Sequence, residues 1–77
     1  MKIRILKNVL VEVEKPRLQE VWDKQLYKWD ELNVESINVT GKSADICTYE
    51  GDILLNVPIE VYEVVVPLGL EPRTNAL

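Results

Sequence analysis

SADICTYEGDILLNV, residues 43–57, decides the class of this chain. It reads as two runs of alternating side chains on either side of a glycine-containing turn, a strong hairpin signal. A two-residue turn at Glu50-Gly51 sets Tyr49 opposite Asp52, Thr48 opposite Ile53, Ile46 opposite Leu55 and Ala44 opposite Val57. In that register one face carries Ala44, Ile46, Thr48, Ile53, Leu55 and Val57. The other carries Asp45, Cys47, Tyr49, Asp52, Leu54 and Asn56. Because side chains in a strand alternate strictly, one face is dry and the other wet.

The flanking sequence extends the β reading. In residues 2–13, Ile3, Ile5, Val9, Val11 and Val13 share one phase, while Lys2, Arg4, Asn8 and Glu12 share the other. Leu6 and Leu10 break the alternation, so this is one long bent strand or two short ones pivoting at Lys7-Asn8. Over residues 31–39 the phase of Leu32 and Val34 gives way to the opposite phase of Ile37 and Val39, which predicts a bulge or sharp bend near Glu35-Ser36. Thr40-Gly41-Lys42 reads as a turn. Pro58 ends the strand before it, since it has no N–H to donate to a ladder. Ile59-Glu60-Val61 suits a single tight turn, and Tyr62 to Val66 a closing strand.

Residues 14–31 admit two readings. Leu18, Val21, Trp22, Leu26 and Trp29 recur at helical spacing, with Pro16 in a first turn and Glu20 and Lys24 at i and i+4. Periodicity favours that helix, at about residues 16–30. The alternative is a long irregular loop that ends in the turn-like run Lys28-Trp29-Asp30-Glu31.

Composition limits the functions open to the chain. Its 77 residues suffice for one domain, residues 1–66, followed by a proline- and glycine-bearing segment, 67–77, that reads as a flexible tail. Apolar residues make up 47% with no Phe, so Val, Ile and Leu must fill the core. The formal net charge of -4 disfavours a phosphate backbone as partner. A single cysteine, Cys47, forbids an internal disulfide and suits a reducing, cytoplasmic setting. The start of the chain reads as a strand rather than as a leader, and no apolar run has the length of a membrane span.

Reactive groups are scarce. The chain has no His, which removes the commonest general base and the commonest metal ligand. Cys47 has no His to lower its pKa, and one thiol cannot make a zinc site. The carboxylates Asp30, Glu31, Asp45, Glu50 and Asp52 lack calcium-loop spacing, and Gly41, Gly51 and Gly69 form no phosphate loop. The expectation is therefore a chain that is not an enzyme, with no catalytic residue, metal or cofactor.

The order of elements resembles an SH3-like small barrel over about residues 2–66. In that family a long loop ends at a diverging turn similar to YKWDEL, residues 27–32, and a hydrophobic-x-x-Pro segment similar to LNVP, residues 55–58, leads through a 3₁₀ turn into the last strand. The resemblance implies a mainly β, five-stranded barrel or roll, and favours the loop over the helix in residues 14–31. The aromatic groove of eukaryotic SH3 domains is not carried over. Asn8 to Glu12 stand where its tyrosine motif belongs, Lys42-Ser43-Ala44 where its tryptophan opens a strand, and Val61 where its second tyrosine falls. A bacterial-type SH3-like module or an unrelated small barrel fits equally well.

Two functions are then expected. The first is a non-catalytic module that binds a protein partner or itself, through the aromatic cluster Trp22, Tyr27 and Trp29. A second patch is Cys47, Tyr49 and Leu54 on the wet face of the hairpin. The alternative is a nucleic-acid-binding barrel, which needs Lys2, Arg4, Lys7, Lys15, Arg17, Lys24 and Lys28 on one face.

Overall fold

A computed structural model describes residues 1–66; the expected tail at 67–77 lies outside the described residues. The chain is mainly β. Its strands are β1 (Lys2–Ile5), β2 (Val9–Lys15), β3 (Glu20–Leu26), β4 (Glu31–Thr40), β5 (Ser43–Thr48), β6 (Ile53–Pro58) and β7 (Tyr62–Val65), with a 3₁₀ turn at Ile59–Val61 before β7. All pairings are antiparallel, in the order β3-β2-β6-β5-β4-β1-β7.

The expected five-stranded barrel is corrected in two respects. Among the described residues seven strands form and no ladder joins the terminal strands β3 and β7, so the sheet is open. It is nevertheless curled. On a flat sheet β1 and β2 would stand four strand spacings apart, roughly 19 Å. The chain from Ile5 to Val9 spans at most about 14 Å. The pivot at Leu6–Asn8 therefore forces the two halves of the sheet toward each other, and the branched side chains fill the space between. Ile3, Ile5, Val13, Leu26, Val34, Ile46 and Val57 are fully buried there, with Val11, Ala44, Leu54 and Val61 beside them.

Residues 14–31 are neither helix nor irregular loop. They continue β2, turn through Pro16–Gln19 and return as β3, whose register on β2 runs from Lys15↔Glu20 to Val9↔Leu26. The turn is closed by bonds from Leu18 N–H to the Lys15 carbonyl (3.1 Å) and from Gln19 N–H to the Pro16 carbonyl (3.2 Å). Trp22 and Leu26 satisfy both periods, because residues four apart share a face in a strand as they do in a helix. Pairing with β2 decides between them: Trp22 stands opposite Val13 and Leu26 opposite Val9, on the core side.

The central hairpin has the expected strands but a different turn. Thr48 N–H donates to the Asp52 carbonyl (2.9 Å), and Gly51 N–H to the Thr48 carbonyl (3.2 Å). The loop thus holds three residues, Tyr49-Glu50-Gly51, with Gly51 at φ +91°. The extra residue slips the register by one, to Cys47↔Ile53 and Ile46↔Leu54. A bulge on β6 then slips it back, so Ala44 meets Val57 as expected. Leu54 consequently points into the core, and Leu55 does not. The expected irregularity in β4 lies between Val34 and Ser36. It lets the strand pair with β1 through Glu31–Asn33 and with β5 through Val34–Thr40.

Candidate functional site

The turn between β3 and β4 places two of the three expected aromatic anchors at the surface. Tyr27 is 57% exposed and Trp29 61%. Its backbone is held at every position. Asp30 N–H donates to the Tyr27 carbonyl (3.0 Å), and the Asp30 carboxylate accepts the Tyr27 N–H (2.9 Å). Asn8 Oδ1 accepts the Lys28 N–H at 2.8 Å. Trp29 N–H donates to the Ile5 carbonyl (2.6 Å), and Ile5 N–H to the Asp30 carbonyl (2.8 Å). The turn is thereby clamped to the end of β1 and, through Asn8, to the pivot that follows it.

That clamp holds Trp29 at φ +75°. A bulky side chain in this left-handed region is a conformational outlier with a cost of about 1–3 kcal/mol. The Lys28 ammonium lies 5.2 Å from the centroid of the Trp29 ring, within cation–π range.

Trp22 is elsewhere. It lies on the core side of β3, 37% exposed, five residues before Tyr27, a distance of about 16 Å along an extended strand. The expected cluster therefore resolves into a Tyr27–Trp29 turn and a separate Trp22 on the edge strand β3. The second expected patch does not form, because Leu54 is buried. Tyr49 is exposed at the hairpin turn, and Cys47 is half-buried.

Tyr49 and Glu50 border two clefts. One, of about 410 Å³, is lined in part by Lys24, Leu32, Asn33, Thr48 and Leu54. The other, of about 590 Å³, lies against Lys15 and the Pro16–Leu18 turn. Between them the Lys15 ammonium stands 3.2 Å from Asp52 Oδ1, a charge contact without hydrogen-bond alignment. It ties the base of the β2–β3 hairpin to the central one. Among the described residues no group of three or more potential ligands is placed to hold a metal ion, and no helix is long and apolar enough to cross a membrane.

The cations do not gather into one free surface. On β1, Arg4 Nε and Nη2 donate to Glu31 Oε2 (3.2 and 3.1 Å) and Nη1 to Glu63 Oε2 (3.2 Å). Lys2 Nζ lies 3.5 Å from Glu31 Oε1, and Lys7 Nζ 3.6 Å from Glu60 Oε2. The Arg4 guanidinium bonded to Glu31, aided by Lys2, holds that carboxyl below the usual carboxylate range. With Lys15 on Asp52, four of the seven cations face carboxylates.

No protein-family model matches the chain, and no curated protein or solved structure matches it significantly.

Proposed function

We propose that this protein is a non-catalytic module that binds a protein partner through Tyr27 and Trp29. One observation carries the reading: a turn whose four backbone N–H groups are all hydrogen-bonded holds a tryptophan in left-handed geometry and leaves that residue 61% exposed. Backbone strain at a residue that stays mostly exposed points to a functional surface. Tyrosine and tryptophan are also the residues that most often anchor interfaces. The absence of histidine from the sequence fits a binding role better than general acid–base chemistry.

A distant likeness to SH3-like domains is part of the proposal. The long excursion before a turn at residues 27–30, the hairpin, the 3₁₀ turn and the last strand paired with the first all support it. The open sheet and the seven strands depart from it. The nucleic-acid alternative is weaker, since most of the cations it needs already face carboxylates.

Trp29→Gly separates display from stability. Glycine accepts φ +75° without strain, so the variant is expected to keep its stability within about 1 kcal/mol of wild type. In affinity capture from a lysate of the source cell, with Tyr27→Ala beside it, proteins retained by the wild type are expected to be lost from both variants. The same set of retained proteins from folded variants and wild type refutes the reading. Retention on DNA resin at low salt, lost as salt is raised, supports the alternative.

A further inference from the structure

Among the described residues the outer edge of β3 is unpaired: β3 is the terminal strand, and six of its seven residues are exposed. Such an edge is a template for another strand unless charge blocks it. Here the charges select a partner instead. Glu20, Trp22 and Lys24 all lie on the core side, opposite Lys15, Val13 and Val11. Glu20 and Lys24 stand two residues either side of Trp22, with opposite sign.

We propose that the chain forms a two-fold symmetric dimer by antiparallel pairing of β3 with β3 of a second copy, centred on Trp22. A two-fold axis normal to the sheet keeps each residue on its own face, so the axis must pass midway between the two copies of one residue, the centre of the register. Three centres keep five or more strand residues paired: Trp22, Asp23 and Lys24. Centring on Asp23 sets that carboxylate against its own copy, and centring on Lys24 does the same with two ammonium groups. Like charges directly opposite are unfavourable. Centring on Trp22 sets the two indoles together and pairs Glu20 of each copy with Lys24 of the other, twice. Among the described residues neither Glu20 nor Lys24 has an ion-pair partner within the chain. The same register brings Val21, 55% exposed, across from Asp23 of the second copy. Lys24, an inward-facing charge on an edge, would deter other strands and is neutralised in this register alone among the three. The surface is separate from the Tyr27–Trp29 turn and does not depend on it.

Sedimentation equilibrium of the full chain tests this. The wild type is expected to associate to a dimer, and Glu20→Lys and Lys24→Glu are each expected to weaken association by about ten-fold or more, because symmetry turns two attractive pairs into two repulsive ones. Mixing the two variants is the decisive arm. In the mixed dimer both 20–24 contacts are attractive again, so association is expected to return. A wild type that stays monomeric up to about 1 mM, a concentration that detects even feeble association, overturns the proposal. So does a mixture no stronger than its components when both are folded. If Lys24→Glu does not fold, hydrogen exchange of the wild type decides: β3 amides must become better protected as concentration rises, and unchanged protection there refutes the pairing.

Discussion

The Asp45 carboxylate accepts the backbone N–H of Asn56 at 3.0 Å, across the hairpin at the place where β6 carries one residue more than β5. Leu55 and Asn56 together oppose Asp45, so one N–H of the bulge has no ladder partner. A side chain from the facing strand supplies it. Asn56 stands at φ +53°, where asparagine is tolerated better than other residues with a Cβ. Asp45→Ala is expected to lower stability by about 1 kcal/mol, the usual worth of one hydrogen bond. Asn56→Gly should be neutral and Asn56→Val should cost about 1–2 kcal/mol, through backbone strain. Urea titrations with a common slope check all three.

Gly51 closes the other irregularity of the same hairpin. At φ +91° it completes a three-residue loop, and a Cβ built on it meets nothing within 4 Å. Any penalty for Gly51→Ala is therefore conformational rather than steric, about 1–2 kcal/mol. Thermal melts should show that loss. A variant as stable as the wild type means that the loop has a different backbone geometry.

The two irregularities explain what the sequence conceals in this hairpin. Alternation identifies both strands and the pair Ala44–Val57, but a three-residue loop and a compensating bulge leave the same residues in the same strands while exchanging Leu54 for Leu55 in the core. The pivot at Lys7-Asn8 and the phase change near Glu35-Ser36 were legible because each breaks a two-residue period, and the stop at Pro58 because proline has no N–H for a ladder. β3 was concealed for the opposite reason. Its residues satisfy a helical period, Lys24 occupies a core-side position, and Pro16-Arg17-Leu18-Gln19 lacks the glycine or Asn-Gly that usually announces a hairpin. Of the expected aromatic cluster, the sequence names the three residues and no more. Only the backbone separates Trp22 from Tyr27 and Trp29.

Glu12 and Asp23 stand directly opposite each other on the outer face of the β2–β3 hairpin. Two carboxylates in that position repel. Glu12→Lys should turn the contact into an attraction and raise stability by about 0.5 kcal/mol. The gain should shrink at about 1 M salt, where the screening length falls to roughly 3 Å. Melting temperatures at low and high salt measure it. A gain that salt does not reduce would place its origin in packing against Leu55, the other neighbour of Glu12.

Glu31 makes stability depend on acid. Its carboxyl is held below its ordinary range chiefly by the hydrogen bonds from Arg4, with Lys2 adding to the effect. A depressed carboxylate favours the folded state wherever both states are ionised, above the pKa of the unfolded chain. As pH falls, the unfolded chain binds its proton first, so the contribution declines from there and vanishes below the folded-state value. The wild type should therefore melt at a higher temperature than Glu31→Gln near neutrality. The gap should narrow as pH is lowered from about 5, just above where an unperturbed carboxylate titrates. Arg4→Gln should narrow it in the same way at neutral pH, by removing the main cause of the shift. A gap that stays constant from neutral to acid pH would mean that the Arg4–Glu31 pair contributes through shape alone.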